Sequence, residues 1–262
     1  CIRDRVYLKH NTVVRIERTA NGVVAYRTVE EAELYLKDMG GTARERQVHY
    51  SSLVDLTDIE AYTMAPQGKG YKRMNVDRID HKDRRDEDIF HDDTRVASFI
   101  MPNITAGSIG HVRYTLQYKE ARMTMGHYFG LHIPTEESSL TVISDPGIEV
   151  EVRTFNLADS ALTRTERTER GRRVQHLSMT RVPGLPFEDN APSWRYHSPH
   201  AHIMVRMPGT PAQARHTDQL YSWYREMADS ATAHIHPEVQ RTADSLTAGI
   251  GDAGTKAATL YR

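Results

Sequence analysis

The sequence is poor in cysteine and contains no long apolar stretch. Cys1 is the single cysteine among 262 residues, which excludes an internal disulfide, a Cys-x-x-Cys redox pair and a cysteine-rich zinc site. It also leaves no internal cysteine to act as a buried nucleophile. No apolar run approaches the ~20 residues that a membrane-spanning helix requires. The sequence therefore predicts no transmembrane segment.

An excess of charge of either sign is also missing. The 34 Lys and Arg residues nearly balance the 35 Asp and Glu residues, giving a formal net charge of −1. No overall field would concentrate nucleic acid around the chain, so no nucleic-acid partner is expected. There is no GxSxG nucleophile elbow and no glycine-rich phosphate loop. Self-contained nucleophilic catalysis has little support, although a triad assembled only by the fold stays open.

The first two thirds of the chain have the pattern of short strands joined by tight turns. Asn21-Gly22 separates two β-prone runs, and this dipeptide is typical of a β-hairpin. Further turns are predicted at Gln67–Gly70 and Asp145–Gly147, and position between strands favours a strand over a helix for residues 30–39. Apolar and polar residues alternate from Val112 to Lys119, as in a strand with one wet face. These features predict a mainly β fold, a two-sheet antiparallel β-sandwich over residues 1–207.

The pattern becomes helical in residues 208–262. Leu220, Trp223, Tyr224 and Met227 have the i, i+3, i+4, i+7 spacing of an amphipathic helix. A second helix is predicted from Pro237 to Leu246, because proline is favoured in the first turn of a helix. A third begins near Thr255. The sequence thus predicts a helical linker after the sandwich.

Several short motifs occur in a fixed order along nearly the whole chain. They are an aspartate-rich turn, a Met-Pro step and a GSI strand, at Asp92, Asp93, Arg95, Met101-Pro102, Gly107–Ile109 and Tyr114. Strand-like runs over residues 4–17 and 59–79 precede or flank them, and DQLYSWYREMADS and TKAATLYR follow. In this order the chain resembles the N-terminal domain of unknown function that precedes transglutaminase-like cores in bacterial envelope proteins. It departs from that family at Gly110-His111 and over residues 164–173.

The resemblance carries expectations about fold, partners and location. It implies a fold similar to the N-terminal β-domain of zinc aminopeptidases, and a transglutaminase-like domain in the same polypeptide that begins at the last helix of this sequence. The catalytic Cys, His and Asp of such a core belong outside this sequence, so the resemblance assigns this chain no catalytic residue and no cofactor. The implied role is a non-catalytic scaffold, periplasmic or at the cell surface, that positions the core or binds a protein or glycan.

Cys1 permits two interpretations. A mature chain that begins with cysteine is typical of a bacterial lipoprotein, in which that residue carries the lipid. The first strand follows within a few residues, whereas a lipidated cysteine usually has a longer tether. A start set by a cut within a longer precursor is the other interpretation.

Histidine-rich segments are the first candidates for chemistry. His197, His200 and His202 form HxxHxH, and imidazole is the commonest zinc ligand. On a strand His200 and His202 would share one face, so these two residues are the candidate metal ligands of a metal-dependent hydrolase. That hypothesis also requires a carboxylate to converge on them. The HIHPE segment at residues 234–238 has no HExxH spacing, since a proline follows the second histidine directly.

Three other groups have a structural and a functional interpretation. The acidic run at residues 86–93 offers hard oxygen ligands for calcium, but nearby Lys and Arg favour a salt-bridged loop in which Asp92 or Asp93 fixes a turn. Residues 164–173 alternate in charge and predict a surface hairpin tip, with anion binding as the functional alternative. Trp194 and Tyr196, placed on one strand face, are the candidate aromatic platform of a free-standing carbohydrate-binding sandwich.

Overall fold

The structure is a computed structural model that describes residues 4–20, 22–40, 44–83, 93–186, 190–206, 217–233 and 235–261. The chain divides into two compact units, residues 1–209 and 210–262. In the part of the chain that is described, the first unit contains fourteen strands and the second contains three α-helices.

The strands vary from two to fifteen residues in length. They are β1 (Arg5–Thr19), β2 (Gly22–Tyr35), β3 (Glu45–Tyr50), β4 (Val54–Gln67), β5 (Gly70–Asn75), β6 (Asp80–Asp83), β7 (Arg95–Ile100), β8 (Ile109–Tyr118), β9 (His127–Tyr128), β10 (Thr135–Ser144), β11 (Glu149–Phe155), β12 (Thr163–Glu169), β13 (Arg172–Val182) and β14 (His200–Arg206). The second unit contains α1 (Thr217–Thr232), α2 (Pro237–Leu246) and α3 (Ala253–Leu260).

Hydrogen bonding arranges the strands in three sheets. The large sheet has the order β12-β13-β10-β1-β2-β8-β4-β5, and two small sheets have the orders β11-β14-β9 and β3-β7-β6. All the described pairings are antiparallel except that of β1 with β10. The predicted mainly β, mostly antiparallel fold followed by helices is therefore confirmed. The strands that face the large sheet are divided between two small ones.

A single hydrophobic core joins the three sheets. Val14 and Leu140 of the large sheet, Phe99 of one small sheet, and Val150 and Val205 of the other belong to one buried cluster. Along β1 every second side chain from His10 to Ile16 is buried, because alternate side chains of a strand point to opposite faces. The small sheets thus cover one face of the large sheet, as the two layers of a sandwich do.

The predicted turns connect the predicted strands. Thr19 pairs with Gly22 in the opening hairpin, and Gln67 pairs with Gly70 in the β4–β5 hairpin. Residues 164–173 form the end of the β12–β13 hairpin. The strand interpretation of residues 30–39 is confirmed through Tyr35, where β2 ends. Turn chemistry and strand alternation therefore specify most local structure in this unit.

The motif residues support the scaffold. Asp93 accepts hydrogen bonds from the backbone N–H (3.0 Å) and the hydroxyl of Ser52, so it holds the β3–β4 connection. A role of Asp92 or Asp93 in fixing the acidic turn itself stays a prediction. Arg95 forms an exposed ion pair with Asp83 on the neighbouring strand, at 3.5 Å. Gly107 has a φ of 83° and donates its N–H to the carbonyl oxygen of Tyr35. Pro102 lies in the same loop, between β7 and β8, and Tyr114 lies on β8. Asp92 and the acidic residues 86–88 lie outside the described residues.

Two helices of the second unit, α2 and α3, are capped by side chains. His236 accepts a hydrogen bond from the N–H of Glu238 at the start of α2, so this histidine of the HIHPE segment is an N-cap. Asp252 accepts from the N–H of Thr255 at the start of α3, at 2.7 Å. His234 is outside the described residues. No described helix combines the length and the apolar character that crossing a membrane requires.

Candidate functional site

An aromatic and histidine-rich surface covers one end of the β11-β14-β9 sheet. Strand alternation turns Ala201 and Ile203 into the core and leaves His200 and His202 on the outer face. The register places Phe155 of β11 and Tyr128 of β9 on either side of His200. We call this set, Tyr128, Phe155, Trp194, His200 and His202, the aromatic–histidine surface.

The rings of the aromatic–histidine surface contact one another. The Phe155 and His200 rings stack with centroids 5.1 Å apart and an interplanar angle of 16°. The rings of His200 and His202 are 4.9 Å apart and tilted by 50°. Tyr128 lies 5.2 Å from His200 and 5.0 Å from Trp194. Each ring therefore limits the rotamers of its neighbours.

Trp194 and Tyr196 do not lie on a strand, and this part of the prediction is wrong. Both belong to a short 3-10 helix that precedes β14, within a segment that also contains Pro192. Trp194 is half-buried against Tyr128 and His132, with the Arg195 guanidinium 5.9 Å from its ring. Tyr196 is 74% exposed. The two rings thus form no common platform.

Asn156 connects the end of β11 to the segment before β14. It has a left-handed φ of 57°, a conformation that asparagine tolerates better than most residues. Its amide donates to the carbonyl oxygens of Tyr196, at 2.6 Å, and Ser198, at 3.2 Å. His200 Nδ1 lies 2.7 Å from the same Ser198 carbonyl oxygen. Because a carbonyl only accepts, the Nδ1 of His200 carries the proton.

The opposite end of the same outer face is ionic. Arg206 pairs with Glu149 at 3.3 Å and with Glu151 at 3.4 Å. Arg153 pairs with Glu151 at 2.7 Å. The charges on this end compensate one another, so the aromatic–histidine surface is the less polar part of the face.

The candidate metal ligands provide two imidazoles. Among the described residues no group of three or more His, Cys, Asp or Glu side chains could hold a metal ion. The carboxylate that the hydrolase hypothesis requires beside His200 and His202 is thus not found in this part of the chain. Burial, and secondarily the proximity of His200, lowers the pKa of His202 below its ordinary value.

A second polar group lies inside the sandwich. His127 is fully buried, and its Nδ1 and Nε2 lie 3.0 Å from the hydroxyls of Thr12 and Ser138 respectively. The His10 ring stacks on His127 at 4.8 Å, and His10 Nε2 lies 3.8 Å from Glu31. Ser138 has no exposed surface, so a substrate does not reach this serine–histidine pair in the folded state.

Burial and charge set the pKa values in this group. Burial, and secondarily the Arg27 guanidinium, lowers the pKa of His10 to about 4. Burial lowers the pKa of His127 well below 6.5, with His10 and Arg27 adding to the effect. Burial raises the pKa of Glu31 to about 7, against the attraction of Arg46. The two histidines are therefore neutral at neutral pH.

Stability is expected to depend on pH through these groups. An unfolded histidine titrates near 6.5, so as pH falls the unfolded chain takes up a proton before folded His10 does. Neutral His10 therefore contributes to the free energy of unfolding above pH 6.5, and this contribution is lost as the pH falls from 6.5 to about 4. Glu31 acts in the opposite sense, since its raised pKa adds stability as pH falls through 7.

We expect His10→Gln to reduce the loss of unfolding free energy between pH 6.5 and 4 by up to roughly 3 kcal/mol, because glutamine takes up no proton.

Urea unfolding at pH 4, 5.5, 6.5 and 8 measures this effect. His49→Gln is the control, because His49 is exposed on β3. Parallel stability curves for wild type and His10→Gln would contradict the interpretation of His10 as a buried neutral base.

Glu33 is the centre of a neighbouring buried ionic group. This carboxylate is 4% exposed, pairs with Arg5 at 3.1 Å and pairs more closely with Arg46. It also accepts a hydrogen bond from the Tyr35 hydroxyl at 3.0 Å. Burial and the Glu33 charge together raise the pKa of Tyr35. Two cations on one buried carboxylate make this group a structural connection between β1, β2 and β3.

These observations define the class of the protein. It is a mainly β domain whose three sheets share one hydrophobic core, and helices follow it. Residues 26–186 match the family described as a domain of unknown function with a solved structure, DUF3857. The match covers more than half of the chain, so the chain belongs to this family. No curated protein matches it.

Two solved structures superpose on this chain. A candidate protease from Parabacteroides distasonis superposes with a TM-score of 0.71 at 15% sequence identity, over 100% of this chain and 50% of that one. An M1 zinc metallopeptidase from Deinococcus radiodurans gives a TM-score of 0.37 at 10% identity, over 87% of this chain and 53% of that one. The chain thus spans about half the length of the structures it matches.

Proposed function

We propose that this chain is a non-catalytic N-terminal scaffold of a longer bacterial envelope protein, where it positions a transglutaminase-like core. One observation carries the proposal: the whole chain superposes on half of the candidate protease, with a TM-score of 0.71. On this proposal, the half of that protein that the chain does not cover corresponds to the core. The periplasmic or cell-surface location is part of the proposal and derives from the family resemblance.

The interior of the first unit supports a scaffold role. Several of its buried polar side chains are hydrogen-bonded to one another, as His127 is to Thr12 and Ser138, and these three are closed to solvent. Such networks rigidify a core more than they serve chemistry. A rigid eight-stranded sheet is suited to hold a neighbouring domain at a fixed orientation.

The proposal predicts a native polypeptide of about twice the mass of this chain, which is 29.9 kDa. An immunoblot of native cells with an antibody against residues 1–209 measures it. The purified 262-residue chain should not hydrolyse or cross-link peptide substrates, whereas the native polypeptide should. A native band near 30 kDa, or activity in the isolated chain, would contradict the scaffold proposal.

Partner binding through the aromatic–histidine surface is the second candidate function. Phe155 is 43% exposed and Tyr196, beside this surface, is 74% exposed. Aromatic side chains at this exposure favour contact with a protein or glycan partner. Trp194 is less available than the sequence indicated, because neighbouring rings already contact it.

A further inference from the structure

His200 and His202 occupy adjacent outward positions of β14. Both lie on the outer face of their sheet, and their ring centroids are 4.9 Å apart. We propose that these two imidazoles form a surface site for a divalent transition-metal ion, with Cu²⁺ the most tightly bound. This inference is independent of the scaffold role.

The separation of the rings is suited to chelation. A metal–nitrogen bond of about 2.0–2.1 Å places each ring centroid roughly 3.2 Å from the metal. Ligand–metal–ligand angles between square-planar and tetrahedral values then require centroids roughly 4.5–5.2 Å apart. The observed 4.9 Å lies within this interval.

The tautomer of His200 is already the one that a metal requires. Its Nδ1–H donates to the Ser198 carbonyl oxygen at 2.7 Å, so the lone pair of the neutral ring is on Nε2. Histidine ligands in metal sites usually donate their second ring N–H in this way, and the partner orients the ring. Asn156 donates to the same carbonyl oxygen and fixes its position. Stacking on Phe155 holds the ring plane.

The charges around the site permit a cation. Arg153 is the cross-strand neighbour of His202, and Glu151 neutralises it at 2.7 Å. Arg195 lies over Trp194 on the other side of the surface. The charges around His200 and His202 therefore do not prevent a metal cation from binding there.

Ligand type selects the ion. Imidazole nitrogen suits Cu²⁺, Ni²⁺ and Zn²⁺, and the Irving–Williams order places Cu²⁺ highest. Two protein ligands leave the remaining positions to water. Such an open site differs from a closed structural zinc site, which has four protein ligands.

Titration of the purified 262-residue chain with CuCl₂ and with ZnCl₂ tests the proposal. Calorimetry gives the stoichiometry, and electron paramagnetic resonance of the Cu²⁺ complex reports the coordinated nitrogens. The test variants are His200→Ala and His202→Gln. His197→Ala is the matched control, since His197 is exposed and ends the 3-10 helix outside the strand. Circular dichroism establishes that each variant is folded.

The expected result is one Cu²⁺ per chain with two imidazole nitrogens, and weaker Zn²⁺ binding. Either test variant should weaken Cu²⁺ binding by roughly tenfold or more, and His197→Ala should not. Asn156→Gly keeps the left-handed backbone but removes the amide, and an intermediate loss is expected. Wild-type affinity in both folded test variants, or the lack of a Cu²⁺ signal with imidazole nitrogens, would overturn the proposal.

Discussion

Gly126→Ala should destabilise the first unit by roughly 3 kcal/mol or more, the upper range for overpacking a tight contact. Gly126 precedes β9 and lies against the backbone of β14. A Cβ atom at this position would be 2.0 Å from the carbonyl oxygen of Ala201 and 3.0 Å from its carbonyl carbon. Since both atoms belong to the backbone of a paired strand, they cannot move without breaking the β11–β14 or β14–β9 hydrogen bonds.

Urea or thermal unfolding measures the effect of Gly126→Ala. Gly70→Ala is the matched control, because a Cβ there has no neighbour within 4 Å. The control should stay within about 0.5 kcal/mol of wild type. If both variants unfolded at the wild-type urea concentration, the close approach of Gly126 to β14 would be disproved. A destabilised Gly126→Ala chain should also lose the ring contacts of the aromatic–histidine surface, which β14 positions.

Glu33→Ala should cost roughly 3–5 kcal/mol of unfolding free energy, the usual effect of removing one partner of a buried ion pair. The substitution removes the carboxylate with which the guanidinium groups of Arg5 and Arg46 form ion pairs. It also removes the acceptor of the Tyr35 hydroxyl. The loss is therefore larger than that of an exposed salt bridge, which is about 0–1 kcal/mol.

A double-mutant cycle separates the pair from its surroundings. Glu33→Ala, Arg46→Ala and the double variant are compared by urea unfolding, and a coupling energy of about 1–3 kcal/mol is expected. Tyr35→Phe is the conservative control, which keeps the packing and removes the hydroxyl that donates to Glu33 and accepts from Arg46. It should cost less than Glu33→Ala. Additive losses in the cycle would show that Glu33 and Arg46 are not coupled in solution.

Local sequence signals predicted the elements of this fold well. Asn21-Gly22 indicated the first hairpin, and alternation from Val112 to Lys119 indicated β8 with its single wet face. Proline at the start and spacing along the chain indicated α2. These features depend on residues close in sequence, so a reading of short windows finds them.

Long-range strand pairing and clusters formed by distant residues could not be predicted from short stretches of sequence. His10 and His127 are 117 positions apart in the chain, yet their rings stack at 4.8 Å. No local pattern distinguishes them from exposed histidines. The prediction for Trp194 and Tyr196 was wrong for a different reason, because these residues form a 3-10 helix and not the expected strand.

The parallel pairing of β1 with β10 has a consequence for the order of folding. Tyr7 pairs with Thr135, whereas the other side of β1 pairs with the adjacent β2. During synthesis the β1–β2 hairpin can form early, but one edge of β1 stays open until more than a hundred further residues have left the ribosome. An open strand edge pairs readily with other chains. Nascent or truncated chains that end before β10 should therefore be the aggregation-prone species of this protein.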